Sequence, residues 1–365
     1  MVPIKNLREA ICIVILSTML AGCITIQTPG SGENETDVNM EATQLSFEIT
    51  KAAFEAQQNN TVEQPSAPAA EAAPAQVPQA PAAAPAIQFA SKFGLAAVWA
   101  TGGCNKACHF ADVTGDGLVD YIAEDNDGIY VLTSSGGAFS TAQKWATGGC
   151  NKACHFADVT GDGKADYIAE DNDGIYVLTS TGSGFNTAQK WASGGCNKAC
   201  HFADVTGDQI ADYIAEDNDG IYVLTSTGNG FNTAQKWAGG GCNKACHFAD
   251  VTGDKIADYI AEDNDGIYVL TSTGSGFNTA QKWAGGGCNI ACHFEDANGD
   301  GIADYIAEDN DGIYVLTSTG SGFNTAQKWA TGGCNKACHF GDVNGDKKGD
   351  YIAEDNDGIY VLLAE

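Results

Sequence analysis

Residues 150–195 read CNKACHFADVTGDGKADYIAEDNDGIYVLTSTGSGFNTAQKWASGG, and units similar to this one follow each other every 46 residues. Apolar stretches between Gly- and Asp-rich turns predict four short strands in this unit, at residues 155–159, 165–170, 175–179 and 185–192. Four strands in a repeat of this length are typical of one blade of a β-propeller. Six tryptophans mark the period: Trp99, Trp145, Trp191, Trp237, Trp283 and Trp329.

The two ends of the repeat array predict a closed ring. Residues 89–100 look like the fourth strand of a unit, whereas the sixth copy ends at Glu365 after its third strand. The N-terminal strand is therefore expected to complete the last blade, which leaves no open sheet edge. We predict an all-β fold, a six-bladed β-propeller of four-stranded blades over residues 88–365. A linear β-solenoid is the alternative, although its repeats are usually shorter and need capping units.

The first residues have the pattern of a lipoprotein export signal. The basic residues Lys5 and Arg8 precede an apolar stretch, residues 11–20, that is too short for an ordinary membrane-spanning helix. Residues 20–23, Leu-Ala-Gly-Cys, are similar to a prokaryotic lipobox and predict cleavage before a lipid-modified Cys23. An uncleaved anchor helix is the alternative.

This pattern divides the chain into three regions. Residues 1–22 are the predicted signal peptide. Residues 23–87 are rich in Ala and Pro, a composition that builds flexible or semi-stiff tethers rather than a core. The propeller at residues 88–365 is therefore expected outside the cytoplasm, held at the cell surface by the lipid anchor alone.

Charge and motifs exclude several classes of function. The formal net charge is −29, from 47 acidic and 18 basic side chains, and Arg8 is the single arginine. Because phosphate binding needs basic clusters, nucleic acid is not an expected partner. The sequence contains no recognisable nucleophile–base pair, nucleophile elbow or phosphate-binding loop, so we predict no catalytic residues and no enzyme activity.

Each copy contains a nine-residue acidic loop, which is residues 112–120 in the first copy. Oxygen-bearing side chains stand at positions one, three, five and nine, and the backbone carbonyl of position seven is available. Calcium takes about six to eight oxygen ligands, and carboxylates this close repel each other without a cation. An ordinary acidic turn is the alternative. The predicted calcium ligands are Asp112, Thr114, Asp116, Asp120, Asp158, Thr160, Asp162, Asp166, Asp204, Thr206, Asp208, Asp212, Asp250, Thr252, Asp254, Asp258, Asp296, Asn298, Asp300, Asp304, Asp342, Asn344, Asp346 and Asp350.

The pattern Asp-x-Thr/Asn-Gly-Asp-x-x-x-Asp before an apolar strand resembles the FG-GAP repeat, also called VCBS. Residues 156–166 are especially similar to the propeller-lectin branch of that family. The resemblance covers residues 89–365 and implies a propeller with calcium loops and a binding role. The chain departs from the family in two ways. Integrin and many lectin propellers have seven blades, and position six is Gly117, Gly163 and Gly301 in three loops but Gln209, Lys255 and Lys347 in the others.

Every copy also carries Cys-Asn-Lys/Ile-Ala-Cys-His. Close cysteine pairs in an exported chain predict disulfides within each loop. Zinc bound by two Cys and one His, and c-type haem attachment, are the alternatives. We expect the six histidines to be hydrogen-bonded residues at strand starts. The predicted disulfide cysteines are Cys104, Cys108, Cys150, Cys154, Cys196, Cys200, Cys242, Cys246, Cys288, Cys292, Cys334 and Cys338.

The repeated clefts predict a multivalent binding module, with neutral glycans as the expected ligands because the propeller lacks arginine. Adhesion to cell-surface proteins, or scaffolding, is the alternative. The predicted ligand-binding residues are the six tryptophans, which could instead pack between blades, together with Asn105, Asn151, Asn197, Asn243, Asn289 and Asn335.

Overall fold

Six sheets of four antiparallel strands form the part of the chain that the computed structural model describes, residues 92–365. The signal peptide, Cys23 and the tether lie outside the described residues. Each sheet is one blade, and the innermost strands of neighbouring blades contact each other around the ring. The predicted all-β, six-bladed propeller is therefore confirmed.

Five blades are built from consecutive strands. Blade 1 contains β2 (Ala107–Ala111), β3 (Asp120–Asp125), β4 (Gly128–Leu132) and β5 (Gln143–Thr147). Blade 2 contains β6 (Ala153–Ala157), β7 (Asp166–Asp171), β8 (Gly174–Leu178) and β9 (Gln189–Ser193). Blade 3 contains β10 (Ala199–Ala203), β11 (Asp212–Asp217), β12 (Gly220–Leu224) and β13 (Gln235–Gly239). Blade 4 contains β14 (Ala245–Ala249), β15 (Asp258–Asp263), β16 (Gly266–Leu270) and β17 (Gln281–Gly285), and blade 5 contains β18 (Ala291–Glu295), β19 (Asp304–Asp309), β20 (Gly312–Leu316) and β21 (Gln327–Thr331).

Blade 6 joins the two ends of the repeat array. It contains β22 (Ala337–Gly341), β23 (Asp350–Glu354), β24 (Gly358–Leu362) and, as its outer strand, β1 (Ala97–Thr101). β1 pairs antiparallel with β24, with Ala97 opposite Val361, and Phe93 forms a further bridge to Ala364. The predicted closure by an N-terminal strand is confirmed.

The core lies between the blades rather than within them. Ile122 and Ile129 of blade 1 are fully buried and pack in one cluster with Cys154 and Tyr167 of blade 2. Burying a side chain of this size contributes about 1.5–3 kcal/mol. Each blade is covered on both faces, which explains why its central strands are continuously apolar.

The outer strand is shorter than the sequence predicts. The sequence predicts residues 185–192 for the second copy, but β9 covers only Gln189–Ser193, and Phe185 instead forms an isolated bridge to Ser180. The strand register also shifts between Ile175 and Tyr176. The ladder continues past this bulge to the pair Val177–Gln189 and ends there, four residues short of Phe185. Within residues 92–365, no helix has the length and apolar character needed to cross a membrane.

Candidate functional site

The strands place the conspicuous loops on two opposite rims. In each blade the inner strand runs from the Cys loop to the acidic loop, and the second strand returns to the Asp-Asn-Asp-Gly turn. We call the first edge the Cys-loop rim and the other the acidic-loop rim. Asn105 of the Cys loop donates a 2.5 Å hydrogen bond to Asp125 of the turn. The cysteine loops and the predicted calcium loops therefore lie on opposite rims of the propeller.

The acidic loops are closed by hydrogen bonds to their own aspartates. In blade 1 the Asp112 carboxylate accepts from the amides of Gly115 (2.6 Å) and Gly117 (2.8 Å). Asp116 accepts from the amide of Leu118 at 2.9 Å. These contacts are those of a compact Asp-capped turn.

The ninth loop position is the buried one. Asp120 is fully buried and accepts hydrogen bonds from the amides of Val113 (3.1 Å) and Ser134 (2.8 Å). Burial, with smaller contributions from the negative charges of Asp116 and Asp112, raises its pKa to about 6, although the two hydrogen bonds act in the opposite direction. The pKa rises in the same way, to about 6 or 7, at Asp166, Asp212, Asp258, Asp304 and Asp350.

The carboxylate oxygens of the acidic loops are the kind of ligand that calcium prefers. In blade 5, Asp304 Oδ2 is buried without a hydrogen bond of normal geometry, close to Asp296 and Asp300. In the part of the chain that the structure describes, however, no group of three or more His, Cys, Asp or Glu side chains is arranged to hold a metal ion. Calcium binding therefore stays a prediction.

The cysteine pairs form six disulfides. Each joins cysteines four residues apart with Cα atoms 5.4 Å apart, as predicted. A buried tyrosine of the same blade contacts the bridge, as Tyr121 Oη does at 3.2 Å from Cys104 Sγ. Because the sulfur atoms bond each other, they are not free for the thioether or zinc alternatives.

The tryptophans pack between blades. Trp145 of blade 1 meets Phe185 of blade 2 edge-to-face, with ring centroids 5.3 Å apart. Trp99 and Trp329 are only 8% and 4% exposed, so the prediction that these two offer a ring to a ligand is wrong. Their neighbours in the adjoining blade, Phe139 and Phe93, cover them. The other four tryptophans pack in the same way but are half-buried, and for them a ligand role stays a prediction.

The six histidines form a ring with phenylalanines. His109, His155, His201 and His339 line a cavity of about 420 Å³, and His247 and His293 line a second one of about 290 Å³. His109 packs on Phe156 of the next blade at 5.1 Å between ring centroids, and His339 packs on Phe110 at 4.7 Å, which closes the circle. The Nε2 atoms of all six are buried and have no partner within hydrogen-bond distance among the described residues. In five of the six, Nε2 lies 3.7–4.0 Å from a glutamate carboxylate, as it does between His109 and Glu124. The expectation of hydrogen-bonded histidines is therefore wrong at Nε2. Burial, reinforced by neighbouring histidines, lowers the pKa of His201 to about 4.

A tyrosine–lysine–aspartate group on the Cys-loop rim was missed by the sequence analysis. Lys144 Nζ donates to Asp127 Oδ2 at 2.8 Å and lies 5.5 Å from the centre of the Tyr130 ring. Tyr130 Oη donates to the same carboxylate at 3.1 Å. The hydrogen bond from Lys144 lowers the pKa of Asp127. Asp127 lies in the turn before β4, which carries Tyr130, but Lys144 comes from β5, so the sequence spacing does not show that the lysine joins the group.

A model of the FG-GAP-like repeat matches residues 112–169, which include the acidic loops of the first two copies. The resemblance to the FG-GAP repeat that the loop pattern predicts is confirmed over residues 112–169. No curated protein matches the chain.

Two of the solved structures that match this chain illustrate the shared fold. One is a lectin of Agrocybe aegerita that recognises non-reducing terminal N-acetylglucosamine; it is 22% identical with a TM-score of 0.53, and the match covers 71% of this chain and 80% of the lectin. The other is the Tc holotoxin pore of Photorhabdus luminescens, 13% identical with a TM-score of 0.56, covering 73% of this chain and 14% of the toxin chain. At these identities the similarity shows the fold alone.

Proposed function

Because the chain is a six-bladed propeller with FG-GAP-like repeats, we propose that it is a carbohydrate-binding module for neutral glycans. The Cys-loop rim carries the supporting observation. An asparagine amide, an aspartate carboxylate and a tyrosine ring recur together there, as Asn105, Asp125 and Tyr130 do in blade 1. Amides and carboxylates bind sugar hydroxyls, and aromatic rings stack on the apolar faces of sugar rings. A propeller fold shared with a lectin agrees with a binding role rather than an enzymatic one.

The charge of the rim favours neutral sugars over acidic ones. Asp125 and Asp127 stand in the same turn, and their equivalents recur in all six copies. Lys144 balances part of this charge in blade 1, but no residue of the propeller is an arginine. Sialylated or sulfated glycans would meet carboxylates without the bidentate partner that usually binds them.

Calcium has a structural role in this proposal. The acidic loops lie at the rim opposite the proposed sugar clefts, so an ion there would stabilise a turn without contacting the sugar. Anchoring through Cys23 would present many propellers on one surface. Weak single sites then gain avidity by acting together.

A glycan array with and without a calcium chelator tests the proposal. We expect neutral glycans, including those ending in N-acetylglucosamine, to bind, and their sialylated forms to bind less. Replacing Tyr130 by Ala in one blade should weaken binding there, while Tyr130→Phe keeps the ring and serves as the matched control. Failure of every neutral glycan to bind would contradict the proposal and leave protein adhesion as the explanation of the rim.

A further inference from the structure

The six clefts of the Cys-loop rim are not equivalent. In blades 1 to 5, a lysine of the outer strand lies over the tyrosine ring and bonds the turn aspartate, as Lys144 does with Asp127 at 2.8 Å. The equivalent lysines are Lys190, Lys236, Lys282 and Lys328. The Cys-loop asparagine also bonds the first turn aspartate in each of these blades, in the pairs Asn105–Asp125, Asn151–Asp171, Asn197–Asp217, Asn243–Asp263 and Asn289–Asp309.

Blade 6, whose outer strand comes from the N-terminal side of the array, lacks both contacts. Val98 of β1 stands opposite Tyr360, where Lys144 of β5 stands opposite Tyr130. No lysine within residues 92–365 therefore lies over the Tyr360 ring. Among the described residues, Asn335 makes no side-chain hydrogen bond to Asp355, whose Oδ1 accepts only the amide of Asn356.

A cavity of about 220 Å³ lies at this place. Its lining includes Asn335, Asp355 and Tyr360, the backbone of Gly333 and the Cys334 side of a disulfide. The asparagine and the aspartate that are hydrogen-bonded to each other in blades 1 to 5 thus both line an open cleft in blade 6, together with the tyrosine. Tyr360 keeps its hydrogen bond to Asp357 at 3.1 Å, so the ring is held in place.

We propose that this cleft of blade 6 is the primary carbohydrate site, and that it takes a single neutral sugar ring. The inference rests on the proposed function and adds to it which of the six clefts binds first. The uncovered face of Tyr360 stacks on the sugar, the Asn335 amide both donates to and accepts from its hydroxyls, and Asp355 accepts from them. In the other five clefts a sugar has to displace a lysine and break an Asn–Asp hydrogen bond, which lowers its net affinity.

The reciprocal exchange of valine and lysine tests the site. The full chain is titrated with N-acetylglucosamine by calorimetry, alongside the variants Val98→Lys, Val98→Ala and Lys144→Val. We expect Val98→Lys to weaken the tightest site roughly tenfold or more by covering Tyr360, whereas Val98→Ala keeps wild-type binding and shows that position 98 tolerates change. Lys144→Val should tighten binding at blade 1 by uncovering the Tyr130 ring, but less than to the level of blade 6, because the Asn105–Asp125 hydrogen bond remains.

The outcomes separate this inference from the proposed function. Undiminished binding by a folded Val98→Lys variant, or six sites of equal affinity in the wild-type chain, would overturn the primary site while leaving carbohydrate binding intact. If neither N-acetylglucosamine nor any other neutral glycan binds the wild-type chain, the proposed function fails and this inference fails with it. Folding of each variant is checked by its melting temperature.

Discussion

Glu295 of blade 5 fills the space that a side chain on Gly349 of blade 6 would need, because a Cβ there would collide with the Glu295 Cγ. At four other interfaces the two equivalent positions are both alanine, as in Ala111 and Ala165. At the interface of blades 6 and 1 the order is reversed, with a glycine at 341 facing Val119. Compared with the alanine pairs, each of these two interfaces has a larger side chain on one blade and a glycine at the facing position of the neighbouring blade.

This matching predicts coupled effects on stability. Gly349→Ala alone should lower the free energy of unfolding by about 1–3 kcal/mol, because it overpacks a filled interface. In the Glu295→Ala background the same change should cost little, since the double variant recreates the Ala/Ala pair found at the other interfaces. Urea unfolding of the four proteins measures the coupling energy. Equal effects of Gly349→Ala in both backgrounds would show that the two residues are independent.

The residue at position six of the acidic loops predicts that opposite exchanges of glycine and glutamine in two copies change stability in opposite directions. Gln209 has a φ of 68°, in the left-handed region, where Gly163 of the preceding loop has a φ of 81°. A side chain costs about 1–2 kcal/mol in this conformation, and the greater freedom of glycine in the unfolded chain offsets part of that.

We therefore expect Gln209→Gly to raise the free energy of unfolding by roughly 0.5–1 kcal/mol and Gly163→Gln to lower it by a similar amount. A Cβ at Gly163 meets nothing within 4 Å, so the second change tests the backbone alone. Urea unfolding curves measure both changes. Two variants that shift the midpoint in the same direction would refute the backbone explanation.

The histidine ring predicts acid sensitivity. The pKa of His201 is about 4 in the folded protein against an ordinary 6.5, so the unfolded state binds more protons between these values. Stability that is present above pH 6.5 is lost as the pH falls toward 4, by up to about 3 kcal/mol for this one residue.

Melting temperatures of the wild type and His201→Gln, measured from pH 7 to pH 4.5, test this sensitivity. The wild type should lose more stability on acidification than the variant. Because the aspartates with raised pKa values are present in both proteins, their opposite contribution cancels in the comparison. Parallel curves would show that His201 does not carry the effect.

If the acidic loops bind calcium, the number of ions bound per protein should fall when aspartates of these loops are replaced. We expect about six ions in the intact protein, held tightest by the first, second and fifth loops, which have glycine at position six. Replacing Asp158 and Asp162 by Asn should remove about one ion and reduce the fall in melting temperature on chelation.

The matched control for calcium replaces Asp171 and Asp173 by Asn on the Cys-loop rim. It changes the charge of the same blade by the same amount and should leave the ion count unchanged. Elemental analysis of dialysed protein gives the counts. Folded protein with a count near zero would show that the acidic loops are ordinary turns.

The sequence by itself determined the features that depend on neighbouring residues in the chain. The 46-residue period gave the number of blades, the Asp-Gly turns placed the hairpins, and the missing strand at the end of the sixth copy required the N-terminal strand. The disulfides followed as well, since cysteines four residues apart in one loop lie within bonding reach of each other. Turn and strand preferences act over a few residues, and they are therefore readable from one copy and confirmed by its repetition.

Only the tertiary structure decided which residues meet across strands and between blades. Trp145 packs against Phe185, Glu295 faces Gly349, and Val98 replaces a lysine opposite Tyr360. No pattern in the sequence fixes these pairs, because they depend on the twist of each sheet, the bulge in the outer strand and the offset at which two blades interdigitate. Repetition makes the six blades look equivalent in sequence, but closing the ring requires one outer strand from outside the repeats, and this physical requirement sets blade 6 apart.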